Sequence, residues 1–336
     1  MPNPPPTLLF IPGSWHKPSC FHKVTAILQE SHNLKCISIT LPSTTGNPAA
    51  TFKDDLDVAR AAITTETAQG RDVVVIAHSY GGMIGNSAIK GFTQQQQQFL
   101  NMESESVPVS GTVIGLILIA SGFTLTGLAF LDLSLGHPPP FFQANTSTGY
   151  AELTTPSPRE FFYHDLPGEE GEFWVSQLTT QSLKSLNGGG EFAYSGWMDV
   201  PVWYIGTIED HGLPVLAQRM LVGMARGMGG RVEHYELRTS HSPFLSRPEE
   251  TVGVLVRAVE AFTGADMHKP EEGNISNGVA TSDLILGVVP QVRLLQPSTW
   301  VRFGLPLVFG RVVGKGILLF GLGRRVWKSR FGLRSL

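Results

Sequence analysis

Cysteine is scarce in this sequence, and no secretory signal is readable at its start. The two cysteines among 336 residues, Cys20 and Cys36, are too few for a disulfide framework, so a reducing compartment is the default expectation. The first residues, Met1–Pro6, lack both the basic region and the long apolar run of a signal peptide. Together these absences predict a cytoplasmic protein.

Charged residues are also sparse, at 16% of the chain, whereas hydrophobic residues make up 42%. This balance is typical of a globular protein with a substantial core, and the length allows one large domain or two. Residues 1–264 contain 15 basic and 24 acidic residues, a net −9, and residues 265–336 contain 10 and 4, a net +6. From 290 to 336 there are nine basic residues and no acid. The asymmetry predicts an appended segment with its own partner.

Strand-like and helix-like patterns alternate along the first 264 residues, which predicts a mostly parallel sheet flanked by helices. A long insertion, at about residues 122–200, separates two predicted strands and is rich in aromatic residues. A structureless loop of that length is uncommon in a compact domain, so the insertion is predicted to form a lid. Its aromatic side chains either line an apolar pocket or pack within the lid: Phe123, Phe130, Phe141, Phe142, Phe161, Phe162 and Trp174.

Ser79 is the candidate nucleophile. It follows the apolar run Val73–His78 and precedes a helix-like segment, the arrangement of a nucleophile elbow, in which a sharp strand-to-helix turn presents the serine Oγ. Ala77 and Gly81 leave room for such a turn, and Gly82 lets the helix pack closely. The alternative is an ordinary strand-turn-helix with a surface serine.

Candidate partners for the serine follow later predicted strands. Glu209 and Asp210 both stand at the C-terminal end of a strand, where a catalytic acid is required, although either could cap the helix from Val215 instead. His241 follows the last predicted strand, Val232–Leu237. A neutral imidazole at that place can accept the serine proton and return it to a leaving group.

Acyl transfer also needs backbone N–H groups that hold the oxyanion. The N–H of Tyr80, directly after the serine, is one candidate. The second is the N–H of Ser14, in the loop after the first predicted strand, where Gly13 permits close approach of the backbone. The alternative for this loop is a plain Pro-Gly turn.

With these residues identified, the chain from about residue 5 to 264 resembles the compact esterase branch of the α/β-hydrolase superfamily. That branch includes plant methyl-ester esterases and hydroxynitrile lyases. Serine, acid and histidine occur in the order of that superfamily's triad. The elbow at Ala77–Gly82 and the histidine loop at Thr239–Phe244 resemble the family's own. So does the loop Thr207–Pro214, in which the family's catalytic aspartate follows a glutamate and precedes a proline by four residues. The resemblance therefore implies Asp210 rather than Glu209.

One position departs from the family pattern, and two others distinguish the lyases of the family from its hydrolases. Pro12 stands where the family usually has a histidine, which bears on the shape of the oxyanion loop. Hydroxynitrile lyases carry a threonine at the position of Gly13 and a lysine at the position of Ser242, and this chain has neither. The resemblance is therefore to the hydrolase type.

The resemblance implies an α/β-hydrolase fold with an inserted lid in residues 1–264, and acyl transfer without a cofactor or metal ion. Ser79 would attack a carbonyl, His241 would act as base and then acid, and Asp210 would orient the imidazole. The amides of Ser14 and Tyr80 would hold the oxyanion. We expect a small-to-medium apolar ester, lactone or thioester as substrate and no nucleic-acid partner. Two alternatives stay open: a lyase or cyclase step in natural-product biosynthesis, and a receptor of the same fold without turnover.

The region after residue 264 has a different composition. Residues 265–283 are polar with Pro and Gly and are predicted to be a linker, and 284–336 form a basic, apolar C-terminal segment. Its longest uncharged stretch after Arg293 is eight residues, which argues against an ordinary spanning helix. The segment either contacts an anionic membrane surface peripherally, through residues 290–336, or is an irregular tail or docking segment. The sequence does not predict an oligomeric state.

Overall fold

The computed structural model describes residues 4–96, 111–134, 136–154, 157–264, 290–293 and 295–331. These residues form eight strands: β1 (Thr7–Ile11), β2 (Cys36–Ser38), β3 (Val73–His78), β4 (Val113–Ile119), β5 (Phe142–Asn145), β6 (Tyr150–Leu153), β7 (Val202–Thr207) and β8 (Val232–Leu237). Six of them make one parallel sheet in the order β2-β1-β3-β4-β7-β8, which confirms the predicted fold class.

The central strands are buried along their whole length, and this explains their continuous apolar sequence. A parallel strand covered on both faces has no solvent side to alternate with. The register sets Ile11 of β1 beside Ala77 of β3, and Ala77 beside Leu118 of β4. The C-terminal ends of these three strands therefore lie side by side at one edge of the sheet.

The strand order changes direction at β1. The chain passes from β1 to β2 on one side and then returns to β3 on the other side of β1. In open α/β sheets, ligands bind in the crevice outside the strand ends at such a switch point. The loops after β1 and β3 carry Ser14 and Ser79, so the topology brings both candidates to this crevice.

Helices flank the sheet. The described helices are α1 (His22–His32), α2 (Phe52–Thr67), α3 (Gly81–Ala88), α4 (Pro158–Phe162), α5 (Gly168–Ser176), α6 (Leu183–Asn187), α7 (Val215–Gly227), α8 (Pro243–Ser246), α9 (Pro248–Thr263) and α10 (Leu305–Phe331). Helix α1 packs against α9, and α2 against α3. Helix α2 begins with a capping box, in which Thr51 and Asp54 hydrogen-bond each other's backbone N–H.

The insertion between β4 and β7 is folded rather than loop-like. It contains the antiparallel pair β5-β6 and the short helices α4, α5 and α6. Trp15 of the loop after β1 donates its indole N–H to the carbonyl of Ala151 in β6, at 3.0 Å. Phe161 and Phe162 are buried, and Phe162 lies 6.2 Å from Trp15, ring centre to ring centre. The insertion therefore packs directly on the loop that carries Ser14.

The predicted linker, residues 265–283, lies outside the described residues. The C-terminal segment enters α10 through a helical turn at Pro297–Thr299 and a π-helical turn at Trp300–Gly304. Helix α10 packs along α7. Judged by length and composition alone, Pro297–Phe320 is long and apolar enough to cross a membrane. The short uncharged stretches of the segment had argued against such a helix. In its most apolar stretch, 33% of the residues are buried.

Candidate active site

The turn after β3 has the geometry of a nucleophile elbow. Ser79 adopts a positive φ of 51°, and α3 begins two residues later. A Cβ on Gly81 would lie 2.6 Å from the carbonyl oxygen of Ile11, and one on Gly82 would overlap the Ser121 hydroxyl. Only glycine fits at position 81, because a clash with fixed backbone cannot be relieved by rotating a side chain. A side chain at position 82 would displace the Ser121 hydroxyl, which donates to the carbonyl of Ser79 at 2.6 Å. The close packing that the glycines allow is what places the start of α3 beneath the serine.

Backbone strain is concentrated at the same edge of the sheet. Besides Ser79, the non-glycine residues with positive φ among those described are Trp15 at 62°, Ala120 at 44° and Asn33 at 51°. Trp15, Ser79 and Ala120 follow β1, β3 and β4, and all three line one cavity. Such conformations cost about 1–3 kcal/mol each and persist where the surrounding structure enforces them, typically at functional sites.

His241 and Asp210 form a buried pair. The Nδ1–H of His241 donates to Oδ2 of Asp210 at 2.8 Å, and both side chains are almost fully buried. The carboxylate also accepts from the Thr207 hydroxyl at 2.6 Å, from Nε2 of Gln218 at 3.2 Å, and from the backbone N–H groups of Gly212 and Leu213 at 2.7 and 2.8 Å. This arrangement orients the imidazole, and His241 and Ser79 both line the same cavity.

Burial alone would raise the pKa of Asp210. The charge of His241 and the hydrogen bonds from His241, Thr207 and Leu213 outweigh it, so the pKa lies below its ordinary value. The carboxyl is therefore ionised at neutral pH, as an acid that stabilises an imidazolium must be.

Glu209, the other acid in this loop, points away from the histidine. Its carboxylate is 2.9 Å from the Arg238 guanidinium in an exposed ion pair, and its backbone carbonyl accepts from Nε2 of His164. Neighbouring residues at a strand end point to opposite sides. The structure thus brings Asp210, and not Glu209, to His241.

The two candidate oxyanion donors both border the cavity. Within the described part of the chain, neither the backbone N–H of Ser14 nor that of Tyr80 donates to another protein group. The Tyr80 amide also lies at the start of α3, whose dipole favours negative charge at this point. The arrangement suits a developing oxyanion next to Ser79.

Sequence reasoning missed two buried histidines that surround the site. His16 donates from Nδ1 to the carbonyl of Ser14 at 2.7 Å, and its Nε2 accepts from the Tyr163 hydroxyl at 2.8 Å. His78 donates from Nε2 to the carbonyl of His241 at 3.0 Å. These bonds fix the loops that carry the donor and the base. Position was the available signal, because His16 follows Ser14 by two residues and His78 directly precedes Ser79.

Both histidines are held neutral. Burial lowers the pKa of His16 to about 4, with a further contribution from the charge of His241. Burial, followed by the charges of His241 and His16, lowers the pKa of His78 well below the ordinary range. Both rings are therefore uncharged near neutral pH.

The cavity has a volume of about 300 Å³ and a largely apolar lining. Of the seven aromatic residues for which the sequence left pocket lining or internal packing open, five line the cavity: Phe123, Phe130, Phe141, Phe161 and Phe162. Phe142 and Trp174 do not: Phe142 packs edge-on against Trp15, and Trp174 lies against His22. Among the described residues that line the cavity there is no Asp, Glu, Lys or Arg. Within the same part of the chain, no group of three or more His, Cys, Asp or Glu residues could hold a metal ion.

Comparisons with known proteins identify the family and the fold. The model of the alpha/beta hydrolase family matches residues 8–254. The alpha/beta hydrolase nvfD of Aspergillus novofumigatus is 22% identical over 254 residues, which cover 75% of this chain and 96% of that protein. Among solved structures, the methylesterase MES16 of Arabidopsis has a TM-score of 0.57 at 16% identity, and polyneuridine aldehyde esterase one of 0.56 at 18%; each match covers 76% of this chain and 99% of the other.

Proposed function

Because the chain belongs to the alpha/beta hydrolase family and is a hydrolase-type enzyme, we propose that it cleaves a small-to-medium apolar ester, lactone or thioester through Ser79, His241 and Asp210. The observation that carries this proposal is the buried His241–Asp210 hydrogen bond, which faces the same cavity as the serine on its strained elbow.

The reaction proceeds in two halves. Ser79 Oγ attacks the carbonyl carbon while Nε2 of His241 takes its proton, and the resulting oxyanion accepts from the amides of Ser14 and Tyr80. The imidazolium, stabilised by the Asp210 carboxylate, gives that proton to the departing alcohol or thiol, which leaves an acyl-enzyme. Water then attacks the acyl carbon, with His241 again as base, and Ser79 recovers its proton.

The lining of the cavity supports an uncharged substrate. Burying an ionised group without a partner is costly, and no described lining side chain carries a permanent charge to offset it. A volume of about 300 Å³ lies at the lower end of the range for small-molecule sites. These two features favour a compact neutral ester over a charged or polymeric one.

A fluorophosphonate probe tests the mechanism directly. Wild-type protein and the control Ser176→Ala, which changes an exposed serine of α5, should each gain the mass of one phosphonyl group. Ser79→Ala should gain none, and its ester turnover should fall on the order of 10⁴-fold or more because the covalent route is lost. A Ser79→Ala protein that turns over esters at a near-native rate would show the mechanism to be wrong.

The alternatives predict different outcomes of the same experiments. A receptor without turnover would bind neutral ligands but release no acid from any member of a panel of esters. A lyase or cyclase would convert substrate without incorporating oxygen from ¹⁸O-labelled water. The hydrolase proposal requires one labelled oxygen in the carboxylic acid, since water attacks the acyl carbon.

A further inference from the structure

The C-terminal helix α10 has two apolar faces, and only one of them is covered. Its covered face, here called the inner face, packs in parallel on α7 through glycines of both helices. A Cβ on Gly227 of α7 would lie 2.6 Å from the carbonyl oxygen of Arg311, and Cβ atoms on Gly310 and Gly314 would overlap the backbone of Met220 and Met224. Small residues at this spacing let two helix backbones approach closely. The inner face is therefore a built interface with the hydrolase body.

The opposite face, here called the outer face, is exposed and apolar. Its residues recur at the helical spacing i, i+3, i+4, i+7 and are Leu305, Val308, Phe309, Val312, Leu319 and Phe320. Each is between 48% and 74% exposed. A surface helix of a soluble protein normally turns a polar face outward, and contiguous apolar patches mark interaction surfaces.

The charge of the segment identifies a partner for the outer face. Residues 290–336 contain nine basic residues and no acid, and among them Arg302, Arg311 and Lys315 are exposed. Residues 1–264 carry a net −9. An exposed apolar stripe in a segment with this positive charge matches an anionic lipid surface, which takes up the apolar side chains and attracts the cations.

The same contacts argue against a helix that crosses the bilayer. The inner face keeps α10 alongside α7, and Arg219 of α7 donates to the carbonyl of Arg302 at 2.9 Å and stacks on Phe303. A helix held against the folded body by these contacts can present its outer face to a membrane but cannot pass through it. We propose that the outer face of α10 docks this protein on the surface of an anionic lipid bilayer, an inference independent of the proposed hydrolysis.

Sedimentation of the full chain with lipid vesicles tests the proposal. With vesicles of phosphatidylserine and phosphatidylcholine in equal parts, the wild-type protein should pellet at low salt. It should be released at molar salt, where the Debye length is about 3 Å, and should remain in the supernatant with phosphatidylcholine alone. The double variant Phe309→Gln/Leu319→Gln should bind at least about tenfold more weakly, since glutamine keeps helix propensity but not the apolar surface.

A matched control removes the same side-chain types elsewhere. Phe173 on α5 and Leu216 on α7 are each 53% exposed, and Phe173→Gln/Leu216→Gln should bind vesicles like the wild type. Circular dichroism and thermal unfolding establish that both variants are folded. Equal binding by all three proteins, or no binding by the wild type, would overturn the proposal. The proposal would also be overturned if the wild type were a dimer in size-exclusion chromatography and Phe309→Gln/Leu319→Gln a monomer, because the outer face would then be a dimer interface. It would be overturned too if only detergent released the protein from vesicles, as expected of a helix that spans the bilayer.

Discussion

Replacing Asp210 with asparagine tests the acid at the centre of the site. Oδ1 of Asp210 accepts two backbone N–H groups, whereas Oδ2 accepts from His241, Thr207 and Gln218. An asparagine that keeps its oxygen toward the backbone would point its NH₂ at the Nδ1–H of His241. The ring then relieves the clash by moving its proton to Nε2, the atom that must accept the serine proton.

The expected loss follows from that tautomer. In Asp210→Asn, kcat for a neutral ester should fall on the order of 10⁴-fold, as for other triads in which the acid becomes an amide. That factor corresponds to a rise of about 5.5 kcal/mol in the activation free energy. The loss of one buried hydrogen bond lowers the free energy of unfolding by only ~1–3 kcal/mol, so the variant should remain folded. Steady-state kinetics on folded protein, checked by thermal unfolding, therefore separates a catalytic defect from partial unfolding.

Glu209→Gln is the matched control for this experiment. It changes the adjacent acid in the same loop, whose exposed ion pair with Arg238 contributes about 0–1 kcal/mol. Its kcat should stay within severalfold of the wild type. A larger loss in Glu209→Gln than in Asp210→Asn, or near-native turnover in Asp210→Asn, would refute the assignment of the acid.

Two further predictions concern pH. Because burial keeps His16 and His78 neutral, the acid limb of kcat/KM should reflect one proton, that of His241, with a slope of one on a logarithmic plot. A flat profile between about pH 5 and 8, measured with an ester whose leaving group does not ionise, would contradict the role of the histidine. Asp55 of α2 is fully buried and accepts a hydrogen bond from the Tyr80 hydroxyl. Burial raises the pKa of Asp55 from 3.8 to about 6. The folded state therefore binds this proton more tightly than the unfolded state does. Asp55 therefore contributes a decline in stability as pH rises from about 4 to 6, which opposes the rise contributed by the buried His16 and His78 over the same range. Asp55→Asn should make the net rise steeper in urea titrations, and an unchanged pH dependence in the variant would rule out this contribution.

The sheet and the elbow were predictable because their causes are local. Buried parallel strands require continuous apolar runs, and the turn at Ser79 requires small residues at fixed offsets, so both leave a signature within about ten residues. The choice between Glu209 and Asp210 has no such signature. It depends on which side of the loop faces His241, 31 residues farther along the chain, and only the resemblance to a family decided it from sequence.

The lid and the C-terminal segment were harder to predict because their partners are distant in sequence. The aromatic composition of the lid predicted apolar packing, but not that Phe142 would pack on Trp15 instead of facing the cavity. The spacing of Gly310 and Gly314 is typical of closely packed helices but does not identify the partner helix. Gly223 and Gly227 of α7 have the same spacing and form the other half of that interface, but the sequence does not indicate that the two pairs meet.

Helix α7 connects Asp210, the proposed catalytic acid, to the C-terminal segment. Gln218 hydrogen-bonds Asp210 and accepts from the Thr207 backbone N–H, while the next residue, Arg219, forms a buried bidentate pair with Glu236 and holds the carbonyl of Arg302. Leu221 lines the cavity.

A helix fixed on one side by the acid loop and on the other by α10 has little freedom to shift. Catalytic hydrogen bonds lose efficiency when groups are displaced by about 1 Å. The family model matches residues 8–254, so α10 lies outside the matched region, and it packs on the helix that contacts Asp210. An appended segment docked at this point can therefore stabilise the position of Asp210 as well as present an apolar face to its surroundings.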